Sequence, residues 1–511
     1  MKAKPSATLT AAALFAALAL PVPLATQAQQ QSEKGEHIWY KLIDIGAFGG
    51  PNSGNNGESI VMNREGDVTG FADTPALDPF CLNDCFVSHA FRWRDGVLTD
   101  LGSLPGGSDS FTNAISSHDQ IVGFSENGVL NPLTGIPELV ATVWQGGRVI
   151  DLGTFGGNFS LAAMNNDHQQ VVGCASNNIP DSFTPTNVFY GLGFDPNQLR
   201  AFLWQGKKLH DLGTLGGPDA CAVWINDRGQ IAGASFANST VNPDTGLPTL
   251  DPFLWEDGKM LDLGTLGGTV GLAFMVNNRG QVIGQSSLAD IPGACIGGSG
   301  GAVGCHGILW ERGVLTDLGT LGGNFSIANW INDEGDIVGV ASNQNEQTVF
   351  GFLWKKGVMT QLGTLPGDCG SKAFAINASA RVVGQSIPCD GSTNRAVLWE
   401  PGGPALDLNA LVNPGSGVLL TDPKIINDTG DIVLEGLLSN GDAHSVVLLQ
   451  CEEGEQGCVD IAHVSAAPAR KFSAAISSGP TTSIDARLTP HGNMAAWRAR
   501  MMGPRRASGP N

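Results

Sequence analysis

Between Trp39 and Leu449 one phrase is written about eight times, and a chain built from one phrase folds as a stack or a ring of like units. A clear copy runs Phe202-Leu203-Trp204, Lys208-Leu209-His210-Asp211, Leu212-Gly213-Thr214-Leu215-Gly216-Gly217, then Ile225-Asn226-Asp227-Arg228-Gly229-Gln230-Ile231-Ala232-Gly233. The glycine of the Asp-Leu-Gly step falls at Gly46, Gly102, Gly153, Gly213, Gly264, Gly319 and Gly363, with Asn409 in its place in the last copy. Those positions are 44 to 60 residues apart. That period suits a four-stranded propeller blade, about 40–50 residues, better than a shorter solenoid coil.

Each copy divides into four short apolar runs separated by turn residues. Alternation in Gly313-Val314-Leu315-Thr316-Asp317-Leu318 predicts a strand. Ser326 to Ile331 is small and apolar, as crowding near an axis requires, and Asn332-Asp333-Glu334-Gly335 is a tight turn into Asp336-Ile337-Val338-Gly339-Val340. Gly351-Phe352-Leu353-Trp354 is the next strand, and Lys355-Lys356-Gly357 turns into the following copy. With 70 glycines in 511 residues and only 15% charged residues, turns and short strands are expected in preference to helices.

The two ends of the repeat region are complementary. Trp39-Tyr40-Lys41-Leu42-Ile43-Asp44-Ile45 is an Asp-Leu-Gly strand with no unit before it. His444-Ser445-Val446-Val447-Leu448-Leu449 is a Phe-Leu-Trp-type strand with no Asp-Leu-Gly strand after it. An eight-bladed β-propeller closed by the N-terminal strand accounts for both and leaves no open sheet edge. A seven-bladed propeller or an open β-solenoid is the alternative.

Residues 1–28 read as a secretory signal peptide: Lys2 and Lys4, the apolar run Ala11–Leu20, then small residues at Thr26-Gln27-Ala28. That run is too short to span a bilayer, and no later stretch could. Ten cysteines fit an oxidising compartment, with Cys81/Cys85, Cys295/Cys305, Cys369/Cys389 and Cys451/Cys458 as local pairs. Cys174 and Cys221 remain, and would have to meet across neighbouring repeats. Zinc is disfavoured because there is no Cys-x-x-Cys and no nearby His pair. The formal charge is -20; residues 459–511 hold seven Arg/Lys against two Asp, or +5, so the rest carries -25. An acidic body argues against nucleic acid as a partner.

The repeat resembles the extracellular HAF-repeat family, whose His-Ala-Phe step stands as His89-Ala90-Phe91, with variants at Arg200-Ala201-Phe202, His306-Gly307-Ile308, Arg395-Ala396-Val397 and His444-Ser445-Val446. Asp-Leu-Gly-Thr-Leu-Gly-Gly is intact at 211–217, 262–268 and 317–323 and altered at 44–50 and 361–367. The likeness spans about residues 40–450 and implies secretion and a propeller-like repeat fold; it transfers no activity.

Candidate chemistry is sparse. The recurring histidines and the aspartates Asp100, Asp151, Asp211, Asp262 and Asp317 occupy one position per repeat, so a ring would hold them apart. Hydrogen bonding beside a strand start, and acceptance of loop amides in the glycine turn, are their expected roles. Asn332-Asp333-Glu334-Gly335-Asp336 lacks the full ligand spacing of a calcium loop. Gly297-Gly298-Ser299-Gly300-Gly301 has the letters of a nucleophile elbow without its strand and helix, and is read as a loop. Neither His-Glu-x-x-His nor a phosphate loop occurs. Trp93, Trp144, Trp204, Trp255, Trp310, Trp354 and Trp399 share one register and are expected in packing between blades. Trp224 and Trp330 lie off it, which makes them the ligand-facing candidates.

The expected organisation is therefore a propeller over 39–450, a disulfide-stapled extension over 451–465, and a disordered basic tail over 466–511 in which Trp497 adjoins Arg498 and Arg500. The expected role is a secreted, monomeric, non-enzymatic scaffold that needs no cofactor or metal and binds an extracellular protein or glycan. Ligand contact is expected where insertions concentrate, in loops 72–88, 126–141, 177–199, 236–250 and 287–305. A carbohydrate-active enzyme with axial carboxylates is the alternative.

Overall fold

The computed structural model describes residues 39–451 apart from 56–58, 81–84, 133–134, 182, 184–196, 244, 290–294, 296–303 and 345–347. The expected signal peptide, the stapled extension beyond Cys451, the basic tail, the Gly297–Gly301 loop and much of the insertions lie outside the described residues.

Among the described residues the chain is all-β, with strands from Tyr40 to Gln450 and no α-helix. Strands hydrogen-bond in antiparallel sets of four that follow chain order. One set is Gly322–Ile331, Ile337–Asn343, Val349–Lys355 and Val358–Gln361. Five such sheets stand alone, while a twelve-stranded sheet is three sets joined by the single parallel pairings Leu250↔Val270 and Cys305↔Phe325. One set breaks chain order: Tyr40–Asp44 pairs with Ala443–Gln450, in the register Leu42↔Leu448 and Asp44↔Val446.

Local sequence explains these elements. In six copies the hairpin before the Asp-Leu-Gly strand uses two residues of positive φ, as at Lys356 (50°) and Gly357 (86°), matching the right-handed strand twist. Seven of the first strands carry a bulge: in one, Ala328 faces Gly339 but Trp330 faces Val338, so Asn329 is an extra residue. Gly339 is required there because a Cβ would collide with the Ile327 carbonyl and the Phe352 ring. The same shift occurs at Ala222/Trp224 opposite Gly233.

Hydrogen bonds repeat from set to set. A third-strand amide donates to a serine hydroxyl on the first strand of the next set: Ala90 to Ser110 Oγ (2.8 Å), Ala141 to Ser160 (2.8 Å), Gly307 to Ser326 (2.9 Å) and Gly351 to Ser371 (3.0 Å). The same bond joins Ser445 N to Ser53 Oγ (3.0 Å) across 392 residues. Between the sets lies a core of Phe111, Phe159, Leu161, Phe236, Leu272 and Phe325 with other apolar side chains.

Three disulfides are described: Cys174–Cys221 between neighbouring sets, Cys295–Cys305, and Cys369–Cys389. Cys85 and Cys451 are also disulfide-bonded, while Cys81 and Cys458 lie outside the described residues. No described helix is long and apolar enough to cross a membrane.

Candidate functional site

The asparagine-led turns that join first and second strands, most of them Asn-x-x-Gly, gather at one end of the sheets and are stitched to one another. Asn166 Nδ2 donates to the carbonyl of Asn226 (3.0 Å), Asn226 to Asn277 (2.8 Å), Asn277 to Asn332 (2.9 Å), Asn332 to Asn377 (3.0 Å) and Asn377 to Asn427 (3.0 Å). Each asparagine also closes its own turn, as where Asn277 Oδ1 accepts from Gln281 N (3.0 Å). The series changes at its ends: Asn63 reaches the carbonyl of Ser116 (3.3 Å), and Asn427 faces the thioether of Met62 (4.0 Å). An outer row follows the same path. The amides of Ser117, Asp167, Asn278 and Ala378 donate to Asp167 (2.9 Å), Asp227 (3.2 Å), Asp333 (2.8 Å) and Asp428 (2.9 Å).

These turns ring a cavity of about 260 Å³. Its floor is apolar, with Trp224, Met275, Trp330 and Ile425 reaching it immediately after the bulge, and its rim carries the aspartates just named. Trp224 and Trp330 belong to different sets, yet their rings meet edge to face at 5.5 Å, a favourable aromatic geometry. Both are buried, at 4% and 8% exposure. Arg64, which is exposed, lies 3.9 Å from Asp227; among the described residues that line the cavity it is the one cation beside four carboxylates, while Arg228 and Arg279 on the same turns reach along them to the carbonyls of Asn278 and Glu334. Asn165 stands where the other copies have Ile115, Ile225, Val276, Ile331, Ile376 and Ile426. It is 3% exposed, lines the cavity, and leaves its Oδ1 without a hydrogen-bond partner.

The cavity is at the opposite end from the insertions. A first strand runs toward its turn and a second strand runs away from it, so loops leaving the second strand emerge at the far end. The loops at which ligand contact is expected from the sequence belong to that far end. At the insertion end a second hollow, of about 400 Å³, is bounded by Asp368, Cys389, Asp390, Thr393 and Arg395. A single set supplies its walls, and Arg395 already pairs with Asp368 at 2.7 Å.

In five copies a histidine or arginine forms a cross-strand pair with the repeated aspartate, away from the cavity. Nδ1 of His89, His306 and His444 lies 2.9, 2.9 and 2.8 Å from Asp100, Asp317 and Asp44. Arg200 replaces histidine opposite Asp211 at 3.0 Å. Each aspartate also caps the glycine turn: the amides of Gly102, Gly153, Gly213, Gly264 and Gly319 donate to Asp100, Asp151, Asp211, Asp262 and Asp317 at 2.7–2.8 Å. Three copies depart: Val140 and Phe350 are apolar at this position, and Asp251 faces Asp262 where a cation stands in the paired copies. Burial and that second carboxylate push Asp251 up to about 6. Farther along the insertion end, burial and Asp181 push Asp219 up to about 8. No described group of His, Cys, Asp or Glu has the arrangement of a metal site.

The in-register tryptophans divide. Trp93, Trp144 and Trp399 are buried, and the indoles of Trp144 and Trp399 donate to the carbonyls of Gly102 and Gly363 at 3.0 Å. Trp204, Trp255, Trp310 and Trp354 are half-buried.

No protein-family model matches this chain, and the comparison with curated proteins gives no match. Among solved structures it is similar to dipeptidyl peptidase 4 of Porphyromonas gingivalis, at 11% identity and a TM-score of 0.41 over 83% of this chain. The chain spans 61% of that peptidase. It is also similar to a PL25 ulvan lyase at 12% identity and a TM-score of 0.36, over 79% of this chain and 95% of the lyase. TolB from Acinetobacter baumannii gives 12% identity and a TM-score of 0.29, over 76% and 81% of the two chains.

Proposed function

We propose that this chain is a secreted β-propeller of the HAF-repeat kind, with eight blades closed by its N-terminal strand, acting as a non-enzymatic scaffold that binds an extracellular protein or glycan. Closure is supported by the pairing of Tyr40–Asp44 with Ala443–Gln450 and by the Ser445–Ser53 bond, which repeats across 392 residues the contact made between chain neighbours. Disulfides within and between blades fit an oxidising compartment. The observation that carries the binding reading is the axial cavity: an aromatic floor under a polar, acidic rim is how ligand sites combine burial with orientation.

Turn-closing work by the rim aspartates favours the scaffold over an enzyme, because each already holds the amide of the preceding blade's turn. A carbohydrate-active enzyme is the second reading, favoured by the same four carboxylates converging from different blades. A glycan and protein binding array on the full chain, with and without divalent cation, separates the two. The scaffold reading expects a retained, unaltered ligand whose binding falls at least tenfold in Trp330→Phe and Asp227→Asn. New reducing ends in a bound polysaccharide would favour the enzyme, and no ligand on any array would sink both.

A further inference from the structure

The last strand, Ala443–Gln450, ends at the cavity end of the sheets. Gln450 N donates to Asp431 Oδ1 (2.9 Å), and Asp431 N donates to Asn427, a rim residue (2.8 Å). Cys451 follows directly, so the remaining sixty residues of the chain start beside the rim. Those from 459 onward carry the +5 that offsets the acidic body, and Asn493–Arg506 concentrates Trp497, Arg498, Arg500, Arg505 and Arg506 with three methionines. Forty-six residues separate Cys451 from Trp497, a contour of about 150 Å at most, which is ample reach.

The rim and this segment are complementary in charge and in kind. Four carboxylates, Asp167, Asp227, Asp333 and Asp428, face one arginine, while the floor offers Trp224 and Trp330. Asn165 Oδ1, buried and unpartnered at the cavity wall, is an acceptor that a guanidinium or indole N–H satisfies.

We propose that Asn493–Arg506 of this chain docks on the axial cavity, its tryptophan over the apolar floor and its arginines on the rim aspartates, so that the tail occupies the site in cis. This rests on the reading of the cavity as a binding site, and makes external binding conditional on displacing the tail. The probe is a fluorescein-labelled peptide of residues 493–506, added to full-length chains at low salt. A tethered copy acts at an effective concentration on the order of millimolar, so the natural chain is expected to bind the free peptide weakly. Full-length Trp497→Ala/Arg498→Ala/Arg500→Ala is expected to bind it at least tenfold more tightly, with faster hydrogen exchange at 226–227 and 332–333. Adding Asp227→Asn and Asp333→Asn, which keep the amide acceptors, is expected to abolish the gain. Equal affinity in the natural and triple-variant chains, or no binding with exchange unchanged, overturns the proposal. If the triple variant captures an external ligand but not the peptide, the cis contact alone falls; if it binds only the peptide, the external-ligand reading falls and the cis contact stands.

Discussion

His444 Nδ1 lies 2.8 Å from Oδ1 of Asp44, although 400 residues separate them. The pair repeats the bridge made at His89–Asp100 and His306–Asp317, here completed by the two ends of the repeat region. The bond to Asp44 raises the His444 pKa against the effect of burial. Burial alone would raise Asp44, but the bonds from His444 and Gly46 outweigh it and lower that carboxyl. The raised histidine contributes stability that is full below its unfolded pKa, about 6.5, and is lost as pH rises through its folded value. The lowered aspartate contributes above about 3.8 and loses its contribution as pH falls. His444→Ala is expected to cost about 0.5–1 kcal/mol at pH 5.5 and less at pH 8.5, since the site is partly solvated. Urea unfolding at the two pH values checks this; an equal loss at both would contradict the charge-assisted bond.

Asp251 is the same bridge with the wrong sign. Its folded pKa of about 6 exceeds the unfolded value, so the native state binds more protons between the two and stability declines as pH rises through that window. Asp251→His restores the pairing found at His306–Asp317 and is expected to stabilise the chain by about 1 kcal/mol at pH 7. Asp251→Asn should flatten stability between pH 4 and 6 without adding a bridge. Denaturant midpoints across that range, for three proteins, report both effects; a pH slope unchanged in Asp251→Asn would show that another group is responsible.

Gly339→Ala tests the bulge. A methyl there meets the Ile327 carbonyl and the Phe352 ring, and backbone cannot retreat as a side chain can. The expected loss is about 1–3 kcal/mol in chemical denaturation, the usual range for overpacking. Substituting Gly313, whose Cβ would meet nothing but whose φ is 83°, separates crowding from turn strain and should cost less. Similar losses at both sites would argue that backbone conformation, not contact, selects these glycines.

Strands and turns were legible because each is local: alternation sets a strand, and Asn-Asp-Glu-Gly at 332–335 sets a turn whose Gly335 has φ of 87°. End complementarity was legible too, since Ile43 and Val447 sit in phase within their copies and pair. Leftover cysteines could only meet across repeats, as Cys174 and Cys221 do. The cavity was not legible. Nothing in Asn277 announces that its amide reaches the carbonyl of Asn332, because that contact depends on the angle between sheets. The bulge at Asn329 was hidden for a similar reason: register is a property of two strands. Its trace in the sequence is the glycine of each Ile-Val-Gly step, and the off-register Trp224 and Trp330 are its consequence.

Lys424 sits 8% exposed, 2.6 Å from Asp422 and 3.0 Å from Glu435, with Gln385 donating to Asp422 at 2.9 Å. Burial would lower its pKa, but the two carboxylates hold it well above the ordinary lysine value. Removing the buried cation leaves two carboxylates, each about a third exposed, with no counter-charge, so Lys424→Met is expected to cost about 1–3 kcal/mol at pH 7. That loss is not the strength of the pair, which is offset by its own desolvation. Lys424→Met combined with Asp422→Asn and Glu435→Gln is therefore expected to recover more than half of it, a non-additivity typical of groups in one network. In the single variant each stranded carboxyl has its folded pKa raised, so stability should climb as pH falls toward 5. In the natural chain burial already raises Glu435 while Lys424 pulls it down, so the same gain should be present but smaller. Denaturation of the three proteins at pH 5 and 7 decides it: if the triple variant is as unstable as Lys424→Met, the lysine acts through its packed methylene stem and not through its charge.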